Sequence, residues 1–226
     1  MRKKSRKNDD VVHVKSRTYG DHPRARRGTY KEAKLNKAFK LENKNLVRAN
    51  LPAKLLKDAI DPYRTNLPGG LLWQRLGSLF RLQWKERGQY DFRNMERFEF
   101  HADYPIDRFV NAQPEVKPAL KNSVLLVEFK NTHAPNYSKT SYIDGYRFTV
   151  IGVFPDLVKK KAVTVSAESR VYGIREVAAP LLLELKIPRA AKNYVVCLKI
   201  EGFEKGQVNN LPSTTGLCVV GGGTLH

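Results

Sequence analysis

Basic side chains are concentrated in the first fifty residues of the chain. This segment holds sixteen Lys and Arg residues against five Asp and Glu residues, so it carries +11 of the formal net charge of +19. Lys and Arg bound along a phosphate backbone release condensed counterions, and this favours binding without any requirement for base sequence. The pattern therefore predicts that this end of the chain engages nucleic acid or an acidic neighbour.

The candidate binding residues lie in a basic arm, residues 1–28, and just after it. The arm has few apolar side chains, and we expect it to be disordered on its own. A helix over about residues 30–48 should follow, with Thr29 and Glu32 forming a capping box. Its lysines at 31, 34, 37, 40 and 44 recur every three to four residues, so they share one side of the helix. The candidate nucleic-acid-binding residues are Arg2, Lys3, Lys4, Arg6, Lys7, Lys15, Arg17, Arg24, Arg26, Arg27, Lys31 and Lys34.

Three residues farther along the chain suggest a metal site as a remote alternative. An aspartate followed about twenty residues later by Glu-x-Lys resembles the metal-dependent nuclease family whose motif is Pro-Asp, then Asp/Glu-x-Lys. The resemblance implies Asp107 and Glu128 as magnesium ligands and Lys130 near the attacked phosphate. The sequence departs from the family because Ile106 interrupts the Pro-Asp pair and because Glu-x-Lys recurs at residues 184–186.

Other motifs that carry chemistry are absent from the sequence. It has no Gly-rich loop ending in Gly-Lys-Ser/Thr, no Gly-x-Ser-x-Gly, no His-Glu-x-x-His and no Cys-x-x-Cys. We therefore expect a protein that is not an enzyme and that has no catalytic residue, no cofactor and no metal.

The arm should lead into a small helical region at residues 29–110, with a short strand at 98–102. Asn50 and Pro52 are expected to begin a second helix after the first. Residues 71–87 form the strongest amphipathic segment, whose stripe we assign to core packing. The side chains of this stripe are Trp73, Leu76, Phe80 and Trp84.

A change in sequence character marks the second half of the chain. Pro114 and Pro118 predict a linker at residues 111–121. Beyond it, six strands are expected at residues 123–130, 146–154, 162–168, 181–187, 194–201 and 217–220. No helical pattern separates them, which favours an antiparallel β-sandwich or open barrel over residues 122–226, with an immunoglobulin-like arrangement as the best match. The predicted fold class is α+β.

The cysteines and the lengths of the apolar runs indicate in which cellular compartment the protein is expected. Cys197 and Cys218 lie in apolar segments, where free thiols behave as small hydrophobes, and we expect both to be reduced and buried. No run is long enough for a membrane span, and the basic start is not followed by the apolar region of a secretory signal. We expect a cytoplasmic protein, or a component of a particle assembled in the cytoplasm.

These features favour a structural or assembly protein of the virion or ribonucleoprotein kind. Its arm would bind nucleic acid or an acidic neighbour, and its β domain would contact other proteins or further copies of itself. The alternative is a protein-binding β-sandwich module in which the arm serves solubility or targeting. DNA, RNA and acidic protein remain open as partners of the arm.

Deletion of residues 1–28 tests whether the arm binds nucleic acid. If all ten basic residues from Arg2 to Arg27 meet phosphates, the logarithm of the binding constant should fall with the logarithm of salt concentration at a slope of roughly −7 to −9. The truncated chain should lose most of that slope. Fluorescence anisotropy with a generic duplex and a single strand, over a salt series, measures both. A slope that survives the deletion would contradict the prediction.

Overall fold

The structure, a computed structural model, describes residues 11–16, 20–25, 36–110, 112–119, 123–131, 133–137, 142–178 and 180–225. The chain divides into two compact units, Met1–Asn43 and Lys44–His226. Helix and antiparallel sheet are both present, so the α+β class is confirmed.

The first unit contains an antiparallel hairpin of β1 (Val11–Ser16) and β2 (Gly20–Ala25). The sequence predicted a disordered arm, but the structure places these residues in a regular hairpin. The rest of residues 1–28 lies outside the described part of the chain. Alternation of β-branched Val12 and Val14 with polar residues favours a strand. Gly20 has a φ of 69°, a left-handed conformation that glycine adopts without steric cost.

Helix α1 runs without a break from Lys37 to Ile60. The predicted second start at Asn50 is therefore wrong, and Pro52 lies inside the helix, where it removes one backbone hydrogen bond. Ala49 and Ala53, on either side of the proline, are completely buried. Tertiary packing of this face stabilises the helix across the proline, whereas local propensity alone favours a break.

Helix α2 (Leu72–Arg87) confirms the predicted amphipathic helix. It ends at Gly88, whose φ of 66° is the left-handed conformation common just past a helix end. Leu76 and Phe80 of the predicted stripe are completely buried, but Trp73 keeps 38% of its surface exposed. The stripe thus belongs only in part to the core.

In the described residues, nine strands follow the helices. They are β3 (Ala112–Ala119), β4 (Val124–Asn131), β5 (Gly145–Asp156), β6 (Lys161–Glu168), β7 (Tyr172–Gly173), β8 (Leu181–Lys186), β9 (Asn193–Glu204), β10 (Gln207–Val208) and β11 (Thr215–Thr224). Strands β10, β9, β5 and β6 lie side by side in this order in a large antiparallel sheet, in which β11 also pairs with β9 and β7 with β5. Strands β3, β4 and β8 form a small antiparallel sheet. All six predicted strands are present, and several are longer than predicted.

The large sheet is buried on both faces. On one face, Phe148 of β5 packs in a common core with Phe129 of β4 in the small sheet. On the other face, Ile151 of β5 belongs to a second core with Leu56 of α1 and Phe80 of α2. The order of layers in this unit is therefore helices, large sheet and small sheet.

Three expectations for the chain beyond α2 differ from the structure. The predicted linker at residues 111–121 contains β3, whose prolines lie on a strand of the small sheet that pairs only with β4. Proline is tolerated on such an edge strand because its missing N–H can point away from the partner. The immunoglobulin-like arrangement is not confirmed, since helices cover one face of the large sheet. The predicted strand at 98–102 is reduced to a single bridge between Glu99 and Cys218.

A buried charged cluster lies on the helix-facing side of the large sheet. The Lys199 Nζ donates to Glu201 Oε1 at 2.6 Å, and the Arg147 guanidinium donates to Glu201 Oε2 at 3.1 Å. Lys199 and Glu201 are each only 5% exposed. The pair therefore depends on its mutual contact, because neither charge has bulk water to replace a lost partner.

Removing one partner of this pair should be strongly destabilising. Glu201→Leu leaves the Lys199 ammonium buried without its carboxylate, and we expect a loss of about 3–5 kcal/mol in the free energy of unfolding. The double variant Lys199→Met with Glu201→Leu should recover much of that loss. Urea denaturation measures the free energy of unfolding of the unmodified protein, the single variant and the double variant. Lys117→Met, which breaks an exposed pair with Glu115, is the control and should change stability by less than about 1 kcal/mol. A Glu201→Leu protein as stable as that control would refute the prediction.

Candidate nucleic-acid interface on helix α1

Four cations lie along one side of α1. Lys37, Lys40, Lys44 and Arg48 are spaced by three, four and four residues, and all four are exposed. At 3.6 residues per turn this spacing places one positive charge on each of four successive turns, over about 16 Å of helix. We call these four residues the α1 cation stripe. The only acid in this part of the helix, Glu42, lies on the opposite side.

The start of α1 fixes the first residue of the stripe. The Phe39 backbone N–H donates to Asn36 Oδ1 at 2.8 Å, as expected for an N-cap asparagine. The capping box predicted at Thr29 and Glu32 lies outside the described residues. Lys37 therefore occupies the first turn of the helix as the structure describes it.

The stripe is electrostatically uncompensated. Among the residues that the structure describes, none of its four cations forms an ion pair with a carboxylate. Some cations elsewhere do have such partners: Arg147 pairs with Glu168 and Glu201, and Arg170 pairs with Glu176. The charge of the stripe thus remains available to an outside anion.

Arg48 has an aromatic partner at the end of the stripe. Its guanidinium carbon lies 4.8 Å from the centre of the Trp84 ring on α2. Trp84 in turn lies 5.2 Å from Tyr90, centre to centre. A guanidinium stacked on an aromatic face retains its in-plane N–H donors, so Arg48 is held in place and still able to bind a phosphate.

The structure describes few of the residues predicted from sequence to bind nucleic acid. Lys15 lies in β1 and is exposed, opposite Asp21 of β2. Arg24 lies in β2, opposite Val12. The remaining candidates lie outside the described residues: Arg2, Lys3, Lys4, Arg6, Lys7, Arg17, Arg26, Arg27, Lys31 and Lys34.

None of the four residues of the α1 cation stripe was in the predicted set. The three-to-four spacing of Lys37, Lys40 and Lys44 was visible in the sequence, but Arg48 was assigned to the end of the helix. It belongs to the stripe because it lies four residues, about one turn, after Lys44 in α1. Its contact with Trp84 depends on tertiary packing and left no signal in the sequence.

The residues of the nuclease alternative lie in different surroundings. Glu128 is on β4, where its carboxylate lies 3.9 Å from the Lys130 ammonium. Asp107 instead lines a cavity of about 510 Å³ that neither Glu128 nor Lys130 lines. Among the described residues, no group of three or more His, Cys, Asp or Glu side chains is placed to hold a metal ion. The geometry therefore adds no support for a metal-dependent reaction at these residues.

The cavity beside Asp107 contains one carboxyl group with a raised pKa, that of Glu99. Glu99 accepts a hydrogen bond from the Ile106 backbone N–H at 3.2 Å. Burial raises the pKa of Glu99 to about 7; the Ile106 N–H opposes that rise, Asp107 adds to it, and Arg75 opposes it. Cys218 lines the same cavity, and burial also raises the pKa of its thiol well above the usual range.

Both cysteines are free and buried, as predicted. In the described part of the chain, no helix has the length and hydropathy needed to cross a membrane.

Comparison with known proteins found no counterpart: no protein-family model, no curated protein and no solved structure matches this chain.

The raised pKa of Glu99 predicts a pH dependence of stability. The folded protein holds this proton more tightly than the unfolded chain, so the contribution of Glu99 is present below its ordinary pKa of 4.5 and is lost as pH rises through about 7. Glu99→Gln, which mimics the neutral carboxyl, should lack this loss. Urea midpoints of both proteins between about pH 5 and 8 measure the difference. Parallel pH profiles of the two proteins would contradict the assignment.

Proposed function

We propose that this protein is a non-enzymatic assembly component that binds nucleic acid through phosphate contacts. The basic N-terminal segment and the α1 cation stripe hold the polyanion. The β-sheet part of the second unit contacts protein neighbours or further copies of the chain. The protein acts in the cytoplasm or in a particle assembled there.

The observation that carries this proposal is the α1 cation stripe. Its four exposed cations follow one another turn by turn, without a carboxylate partner among the described residues. A run of unpaired cations suits a linear array of phosphates, because each cation that meets a phosphate releases a condensed counterion. The +11 charge of the first fifty residues extends the same chemistry along the chain.

The protein contacts are assigned to the outer face of the small sheet. Leu125 and Val127 of β4 face the core, so Leu126 between them points to the other side. Leu182 of β8 shares this outer face and is 58% exposed. Apolar side chains mixed with charged neighbours on an exposed sheet face are compatible with a protein partner.

Neutralising the α1 cation stripe tests the nucleic-acid part of the proposal. Replacing Lys37, Lys40, Lys44 and Arg48 by Gln should weaken binding and reduce the salt slope by about 3–4, since each phosphate contact contributes about 0.7–0.9. Fluorescence anisotropy with labelled oligonucleotides over a salt series measures both the affinity and the slope. Circular dichroism should show unchanged helix content, because all four residues are exposed.

A matched control carries the same change in net charge elsewhere. Lys160, Lys161, Lys186 and Lys205 are exposed lysines of the second unit, away from α1 in sequence. Their replacement by Gln should leave most of the salt slope in place. Equal losses in the two quadruple variants would mean that net charge alone drives binding, and no binding by the unmodified chain would overturn the proposal.

A further inference from the structure

Two tryptophans lie on the same side of α2. Trp73 and Trp84 are the only tryptophans of the chain. They are eleven residues apart, which places them about 20° apart around the helix and about 16 Å apart along it. Gly77 lies between them on nearly the same line. We call Trp73, Gly77 and Trp84 the tryptophan face.

The tryptophan face is open to an outside molecule. Trp73 is 38% exposed, although tryptophan is on average among the most buried residues. A Cβ atom built on Gly77 would meet no atom within 4 Å, so the space between the two tryptophans is unfilled. Phe80 lies beneath and is completely buried, so the face rests on a rigid core.

Cations surround the tryptophan face. Arg48 stacks on Trp84 at 4.8 Å, and Lys44 lies one turn before Arg48 on α1. Arg81 is exposed on α2, about 60° around the helix from Trp84. The nearby Asp91 is engaged by Arg93, whose guanidinium lowers the pKa of that carboxyl. An anionic partner is therefore favoured over a neutral or cationic one.

Exposed aromatic rings interleaved with cations have a specific use in binding nucleic acids. Rings stack on bases that are not enclosed in a duplex, while cations hold the backbone phosphates. In a duplex, the base faces are already stacked on each other and are closed to such rings.

We infer that the tryptophan face binds single-stranded nucleic acid, with an unpaired base stacked on Trp73 and phosphates held by Arg48, Lys44 and Arg81. This inference rests on the proposed function and names its preferred substrate. Charge complementarity assigns the phosphates to the two arginines and the lysine, and the exposure of its ring assigns the base to Trp73.

Intrinsic tryptophan fluorescence tests the inference in the full chain. A thymidine oligonucleotide of about 30 nucleotides, longer than one binding site, is compared with a duplex of equal length at equal phosphate concentration. The single strand should quench the fluorescence and bind more tightly than the duplex. Trp84→Phe retains an aromatic ring against Arg48, and the quenching left in that variant reports Trp73.

Variants at Trp73 give the decisive comparison. Trp73→Leu should weaken single-strand binding by about 5- to 150-fold, the range expected for the loss of one stacked base, with little change for the duplex. Trp73→Tyr should restore most of the affinity. Leu82→Ala is the matched control, because Leu82 is 56% exposed and lies nine residues from Trp73, on the opposite side of α2.

The outcomes separate this inference from the proposed function. Equal affinity for both nucleic acids, without quenching and without an effect of Trp73→Leu, would overturn the inference but leave phosphate binding by the α1 cation stripe intact. A peptide or protein that protects the tryptophan face while oligonucleotides do not would also overturn it. Failure of both nucleic acids to bind would remove both proposals.

Discussion

Burial of the large sheet on both faces is the constraint on which the second unit depends. Ile151 meets the helices while its neighbour Val150 meets the small sheet, so β5 has no side that tolerates water over most of its length. A sheet of this kind needs a cover on each face. Helices α1 and α2 form one cover, and their orientation around their own axes is set by the apolar side chains that they bury.

The same constraint decides which helix residues can meet a partner. Because Ala49, Ala53 and Leu56 bury one side of α1, the α1 cation stripe is held on an exposed side. On α2, Leu76 and Phe80 are drawn to the sheet, and Trp73 is left partly exposed at the edge of the same stripe. Packing of the core therefore produces both the row of cations and the aromatic rings beside it.

Charge is distributed unevenly between the layers. The buried Lys199 of the large sheet is neutralised by Glu201, since a buried charge without a partner is destabilising. The cations of α1 face water, where an unpaired ammonium is well solvated and can exchange its counterions for phosphates. Excess positive charge is thus concentrated at the N-terminal part of the chain, outside the core.

The sequence by itself determined the α+β class, the six predicted strands, the span of α2 and the excess of basic charge, because each depends on local side-chain pattern. The strands that correspond to β5 and β9 were predicted within a β-sandwich or open barrel, and the sequence did not predict that helices cover one face of their sheet. Tertiary structure alone decided that α1 continues through Pro52, that residues 112–119 form a strand, and that Arg48 lies on Trp84. These features depend on contacts between distant segments, and the free energy of those contacts outweighs the local preference for a break or a linker.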